Sequence, residues 1–160
     1  MTRAVLSLGS NIGDSLGYLQ SAVDALRPWL VAVSAVYETE PLGTGPQPPY
    51  LNAVLIAEAG LDPHTWLDRA QAIEAAAGRE RPARWAPRTL DVDLISVDSE
   101  VSADAVLTLP HPRAHERAFV LVPWLDVEPD ATLAGHGRAR DLVAGLDTSG
   151  VRRRGDLVLR

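Results

Sequence analysis

The order of the apolar segments is the feature that most constrains how this chain can fold. Four short runs rich in Val and Leu predict strands, and two intervals with apolar residues at helical spacing predict helices. The predicted strands are residues 4–8, 30–40, 51–59 and 89–97, and the predicted helices lie within 16–26 and 62–77. The order β-α-β-β-α-β is typical of a ferredoxin-like α+β sandwich, in which a mostly antiparallel sheet carries helices on one face. The other face of such a sheet is open for a functional site.

The remaining segments predict loops and a small C-terminal addition. Residues 41–50 hold four prolines and two glycines, and a loop of this length inside a compact domain is often functional. A helix is predicted near 118–125, another near 139–146, and a terminal strand at 156–160, which reads DLVLR. With 160 residues and no recognisable linker, the chain is expected to form one domain over 1–160.

Composition excludes several classes of function. The formal net charge of -6 disfavours duplex nucleic acid as a partner, because binding it requires a basic face. No apolar run approaches the roughly 18 residues that span a membrane, and the N-terminus lacks the core of a signal peptide. The absence of cysteine fits a cytoplasmic protein. All 15 basic residues are Arg, so a phosphate-binding loop that depends on Lys is excluded.

Positive and negative charge meet in one short stretch. Two carboxylates, Asp91 and Asp93, lie within a predicted strand, so they share one face about 6.6 Å apart along the chain. Mg²⁺ prefers such oxygen ligands together with phosphate oxygens, and Arg binds phosphate through paired hydrogen bonds. The stretch therefore favours phosphoryl transfer, although a solvated loop before a half-exposed strand also fits these residues. The arginines that precede the carboxylates are Arg79, Arg81, Arg84 and Arg88.

The segment RWAPRTLDVDLI (84–95) closely resembles the signature of the 6-hydroxymethyl-7,8-dihydropterin pyrophosphokinases, a family of folate-pathway enzymes. Other segments match in the same order: LSLGSNIGD (6–14), YETEPLG (37–43), PYLNAV (49–54), QAIEAAAGRER (71–81) and PHPRAHERAFVLVPW (110–124). The resemblance implies the ferredoxin-like fold. It also implies transfer of pyrophosphate from ATP to the pterin's hydroxymethyl oxygen, with release of AMP. We also expect a monomer that binds neither nucleic acid nor membrane.

The resemblance also implies roles for individual residues. Asp91 and Asp93 would bind two Mg²⁺ ions, and Arg79, Arg81 and Arg88 would act on the triphosphate. The implied nucleotide contacts are Gln71, Glu74, Arg81, Trp85, Arg88, Thr108, His111 and Arg117. The implied pterin contacts are Thr39, Glu40, Leu42, Tyr50, Asn52 and Phe119, with Tyr50 and Phe119 stacking on the two ring faces. The matched segments also contain Arg84, Arg113 and His115, to which no role is assigned.

Simpler interpretations of these residues stay open. The aromatic residues can be ordinary core, His111 can be structural, and Gln71 with Glu74 can form a solvated helix face. Asn11 is interpreted as turn chemistry and is not counted among the site residues. A polymerase-type nucleotidyltransferase also pairs a Gly-Ser motif with strand carboxylates, but there the two lie close in sequence. A non-catalytic ferredoxin-like ligand-binding module is the third alternative.

Overall fold

An antiparallel sheet of six strands organises the part of the chain that the computed structural model describes, residues 1–40, 47–78 and 89–160. Its strands are β1 (Thr2–Ser10), β2 (Leu30–Val33), β3 (Tyr37–Thr39), β4 (Tyr50–Ala59), β5 (Asp91–Val97) and β10 (Val151–Arg153). The order across the sheet is β10-β3-β4-β1-β5, and β2 also pairs with β4. The α+β class and the antiparallel pairing predicted from the sequence are confirmed.

Four α-helices and two small hairpins complete the described residues. The helices are α1 (Ser15–Leu26), α2 (Pro63–Ala76), α3 (Ala118–Val127) and α4 (Ala139–Ala144). The hairpins pair β6 (Ser102–Ala103) with β7 (Thr108–Leu109), and β8 (Thr132–Leu133) with β9 (Gly137–Arg138). Short 3₁₀ turns occupy Arg27–Trp29 and Ala114–Glu116. Within the described residues, every helix is too short or too polar to cross a membrane.

The start of α2 follows from local sequence. The Asp62 carboxylate accepts a hydrogen bond from the backbone N–H of Thr65 at 2.8 Å, and Pro63 occupies the first helical position. Trp66 and Ala70 then follow at helical spacing and are buried against the sheet. The predicted helix is therefore confirmed, with both its cap and its apolar stripe.

The sheet carries helices on both faces, which corrects the prediction of helices on one face only. On the first face, α1 and α2 cover side chains such as Leu6 and Leu55. The second face bears Val54 and Ile56, and these pack against α3 and α4. The physical reason lies in β4, which is apolar at successive positions, so that both of its faces must be removed from water.

Two predicted strands differ from the structure. The run 30–40 is split into β2 and β3, because the Ser34 hydroxyl accepts a hydrogen bond from the Val54 N–H at 2.9 Å and interrupts the regular ladder. The terminal strand is β10 rather than 156–160. Residues 156–160 instead bury Leu159 in the core, while the Arg160 carbonyl accepts hydrogen bonds from the side chains of Gln20 and Arg27. Residues 79–88, which hold the four arginines before Asp91, and residues 41–46 of the predicted loop 41–50 lie outside the described residues.

Candidate active site

One row of residues across the second face of the sheet brings the predicted site together. Gly9 of β1 pairs with Asn52 of β4 on one side and with Asp91 of β5 on the other. Side chains of paired residues point to the same face of a sheet. Because neighbouring strands lie about 4.8 Å apart, the Cα atoms of Asn52 and Asp91 are about 10 Å apart. A predicted pterin contact and a predicted metal ligand therefore lie on either side of Gly9 in one row.

The two aspartates lie on this face as their spacing predicts. Asp91 and Asp93 are half-buried, whereas the residues between and after them, Val92 and Leu94, are buried on the first face. Asp93 pairs with Ser7 of β1, so its carboxylate projects beside the central strand. Alternation along β5 thus presents two carboxylates to the same side of the sheet.

The chemistry of these donors fits Mg²⁺. Carboxylate oxygens are hard ligands, and Mg²⁺ in phosphate-transferring sites commonly takes one or two carboxylates and fills its shell with phosphate oxygens and water. In the described ranges, no cluster of three or more His, Asp or Glu residues is arranged to hold a metal ion. The two carboxylates of Asp91 and Asp93 fit a metal that also takes phosphate oxygens and water as ligands.

A buried hydrogen bond orients the polar centre of the predicted pterin site. The amide nitrogen of Asn52 donates to the Thr39 hydroxyl at 2.6 Å, and both side chains are less than 5% exposed. Gly9 allows this arrangement, because a Cβ at that position would lie 2.9 Å from Asn52 Oδ1. The chain thus places an amide of fixed orientation at the base of the site. A flat ring with hydrogen-bond donors and acceptors along its edge could bind there.

Asn11, which is predicted to serve in a turn, also connects two segments that are distant in sequence. Its side chain is almost fully buried, and Nδ2 donates to Gln47 Oε1 at 3.2 Å and to the Pro48 carbonyl at 3.3 Å. Asn11 therefore ties the end of β1 to the segment that leads into Tyr50. Its place in a matched segment was a usable signal, but its burial follows only from the meeting of two distant segments.

The two predicted aromatic residues lie on β4 and α3. Tyr50 is half-buried, and its Cδ1 lies 3.6 Å from where a Cβ on Gly9 would be. Phe119, also half-buried, lies in the first turn of α3, and the Arg117 guanidinium sits 5.5 Å from the centre of its ring. Both rings thus lie on elements that border the second face. Their stacking on a ligand stays a prediction.

His111 lies at the outer edge of β5 as a neutral hydrogen-bond donor. Its backbone N–H donates to the Ile95 carbonyl at 2.8 Å, and its Nδ1 accepts from the Arg113 N–H at 3.2 Å. Burial, followed by the positive charges of Arg117 and Arg113, lowers the pKa of His111 to about 4. At neutral pH its proton therefore sits on Nε2, which can donate to an anion without adding a charge.

The other predicted contacts that lie within the described residues differ in their exposure. Gln71 is exposed, whereas Glu74 is 7% exposed and its Oε2 accepts a hydrogen bond from the Val92 N–H at 2.9 Å. Gln71 and Glu74 thus differ in their exposure, and their contact with a nucleotide stays a prediction. Thr108 and Glu40 are exposed. The site residues Leu42, Arg79, Arg81, Trp85 and Arg88, as well as Arg84, lie outside the described residues.

Comparison with known proteins identifies the family. Residues 5–129 match the family model for 7,8-dihydro-6-hydroxymethylpterin-pyrophosphokinase (HPPK). The chain is 50% identical over 150 residues to 2-amino-4-hydroxy-6-hydroxymethyldihydropteridine pyrophosphokinase of Mycobacterium tuberculosis, covering 88% of this chain and 80% of the relative. It is 43% identical over 157 residues to the enzyme of the same name from Methylorubrum extorquens, covering 96% and 99%.

Solved structures agree at the level of the fold. The chain resembles an HPPK-DHPS crystallised in complex with substrates, with a TM-score of 0.69 and 12% identity over 89% of this chain. It resembles the Plasmodium falciparum HPPK-DHPS wild type with a TM-score of 0.71 and 13% identity over the same share. The chain spans 43% and 44% of those longer proteins. With the family model covering most of the sequence, the chain belongs to the 7,8-dihydro-6-hydroxymethylpterin-pyrophosphokinase family.

Proposed function

We propose that this protein, as one domain over 1–160, transfers pyrophosphate from ATP to the hydroxymethyl group of 6-hydroxymethyl-7,8-dihydropterin and releases AMP. The observation that carries the proposal is the row Asn52, Gly9 and Asp91, which sets an oriented amide beside strand carboxylates. Relatives over most of the chain bear the name of this pyrophosphokinase. The reaction serves folate biosynthesis.

The pterin would bind over Asn52. A pterin is flat and edged with hydrogen-bonding groups, so it needs a few fixed polar partners and an apolar surface on each ring face. The buried bond from Asn52 to Thr39 holds the amide in one orientation before the ligand arrives, which lowers the entropy lost on binding. Tyr50 and Phe119 would supply the ring faces, and Glu40 and Leu42 would border the site.

The triphosphate would bind at β5. Asp91 and Asp93 would hold two Mg²⁺ ions, which would neutralise negative charge on the phosphates. His111 would donate from Nε2 to a phosphate oxygen, and Arg117 would add a positive charge beside Phe119. Gln71, Trp85 and Thr108 would contact the nucleotide. Arg79, Arg81 and Arg88 would bind the triphosphate and exclude water, which could otherwise accept the pyrophosphoryl group.

This arrangement leaves catalysis to positioning and charge. The face of the sheet that holds Asn52 also holds Asp91, so the pterin oxygen and the phosphate chain would approach each other over Gly9. Aligning two bound reactants removes much of the entropic cost of their encounter. A monomeric protein in the cytoplasm is part of the proposal, and sedimentation velocity would test the monomer.

An assay with ATP, Mg²⁺ and 6-hydroxymethyl-7,8-dihydropterin tests the proposed reaction. AMP should form only when the pterin is present. Release of inorganic pyrophosphate in place of AMP would favour a nucleotidyltransferase, and absence of ATP consumption would favour a ligand-binding module. A matched pair of variants adds a control: Asp91→Asn should abolish most AMP formation, whereas Asp68→Asn, on the exposed side of α2, should leave it unchanged.

A further inference from the structure

The outer edge of β5 is closed by side-chain and loop groups rather than by another strand. In the described part of the chain, β5 is the last strand of the sheet and pairs only with β1. Backbone groups at a sheet edge need partners when they are buried. The Ile95 carbonyl accepts from the His111 N–H, and the Val92 N–H donates to Glu74.

The Glu74 contact is unusual because it buries a carboxylate in the protein interior. Glu74 projects from α2 among Trp66, Ala70 and other buried residues, and its side chain is 7% exposed. Burying a carboxylate is unfavourable unless it is well paired, so an apolar residue would be the ordinary choice at this position. Its Oε2 lies 2.9 Å from the Val92 nitrogen, which is a normal distance for a hydrogen bond with a charged acceptor.

Val92 stands between the two aspartates of the proposed metal site. The Val92 N–H belongs to the peptide plane that joins Asp91 to Val92, so the bond to Glu74 fixes that plane. Fixing the plane limits the directions in which the Asp91 side chain and, one residue on, the Asp93 side chain can point. A metal site needs its ligands held within about 0.5 Å of the productive geometry. An edge strand bonded on one side only would hold them less well.

We propose that Glu74 is a positioning residue that holds Asp91 and Asp93 in metal-binding geometry through the Val92 N–H. The role differs from the direct nucleotide contact that the family resemblance implies for Glu74. It rests on the proposed function of Asp91 and Asp93 as metal ligands. Its two parts, the hydrogen bond and the effect on metal binding, can be measured separately.

Two conservative variants distinguish the effect of the length of the Glu74 side chain from the effect of its charge. Glu74→Gln keeps an acceptor oxygen at the same distance from the backbone and removes the charge. Glu74→Asp keeps the charge and shortens the side chain by one methylene, so that it no longer reaches Val92. Glu74→Ala removes both, and Asp68→Asn is the control on the exposed side of the same helix. A positioning role predicts that the Gln variant resembles the wild type and that the Asp variant resembles the Ala variant.

Hydrogen exchange of the Val92 amide in the metal-free and nucleotide-free protein measures the bond directly. We expect slow exchange in the wild type, in Glu74→Gln and in Asp68→Asn. Exchange should be at least about tenfold faster in Glu74→Asp and Glu74→Ala, with the amides of Leu6 and Leu55 in the centre of the sheet unchanged. Equal protection of Val92 in all variants would overturn the proposal.

Mn²⁺ binding, followed by electron paramagnetic resonance with a non-hydrolysable ATP analogue, measures the consequence. Loss of an outer-shell partner typically weakens metal affinity by about 10–100-fold, which is the loss expected for Glu74→Asp and Glu74→Ala. The KM for the pterin should not change.

Wild-type protein that binds no metal would refute the metal role of the aspartates and, with it, this proposal. Metal binding that is normal in the wild type and in Glu74→Asp would refute the positioning role alone. Weak Mn²⁺ binding by Glu74→Gln, with the Val92 amide still protected, would show that the charge of Glu74 is needed and would also overturn the positioning role.

Discussion

Replacing Gly9 by alanine tests whether the close packing over Asn52 shapes the pterin site. The Cβ of Gly9→Ala would lie 2.9 Å from Asn52 Oδ1, a distance at which one of the two groups must move. Asn52 is buried and bonded to Thr39 at 2.6 Å, so its amide can move only by losing that bond or by displacing its neighbours. The backbone at Gly9 does not require glycine's left-handed conformation, so the substitution is a purely steric probe.

The expected cost follows from these contacts. Overpacking a well-packed site costs about 1–3 kcal/mol, and loss of a typical hydrogen bond costs about 0.5–1.5 kcal/mol. We expect the free energy of unfolding to fall by about 1–3 kcal/mol in urea denaturation. Pterin affinity should fall at least about tenfold, because a loss of about 1.4 kcal/mol of binding free energy raises the Kd by a factor of about ten. Isothermal titration calorimetry with the pterin and an ATP analogue measures the affinity.

Two further variants make this test specific. Gly60→Ala is the matched control, because a Cβ there meets nothing within 4 Å and the position is not left-handed; it should leave stability and pterin affinity nearly unchanged. The double variant Gly9→Ala with Asn52→Ala removes the clash, so it should be no less stable than Asn52→Ala alone, and it should still bind pterin weakly. Wild-type pterin affinity in Gly9→Ala would refute the reasoning.

Three other predictions address the metal ligands, pH dependence and the C-terminal segment. Asp91→Ala and Asp93→Ala should each lower turnover in the AMP assay by at least about 10²–10³, the scale for losing an electrostatic stabiliser, and near-normal turnover would contradict the metal role. The pKa of His111 is about 4 in the folded protein and about 6.5 unfolded, so the unfolded chain binds the extra proton between these values. The contribution of neutral His111 to the free energy of unfolding should therefore be fully present above pH 6.5 and should be lost as the pH falls toward 4, a decline of about 1–2 kcal/mol after allowance for partial exposure. Urea denaturation at pH 7 and 4.5 should show a smaller decline in His111→Gln than in the wild type. Leu159→Ala should lower the free energy of unfolding by about 2–4 kcal/mol because Leu159 is 7% exposed, whereas Val158→Ala, at a residue 59% exposed, should cost little in the same measurement.

Much of the architecture could be predicted because it depends on spacing along the chain. Helical periodicity located α1 and α2, and the Asp62-Pro63 pair located the start of α2. Strand alternation predicted that Asp91 and Asp93 share a face, and the structure agrees. These features depend on a residue's neighbours within a few positions, so the local sequence is sufficient to specify them.

Other features depend on segments that are distant in sequence. The Ser34 hydroxyl interrupts the strand 30–40 by bonding to Val54, and β10 rather than 156–160 pairs with β3. The same holds in the site, where Asn11 donates a hydrogen bond to the segment before Tyr50 and the buried Glu74 accepts one from Val92. The amino-acid sequence by itself determined where α1 and α2 lie and which carboxylates share a strand face. Only the tertiary structure decided which polar groups are buried and what they bond to, because burial and long-range pairing arise from packing between elements rather than from spacing within them.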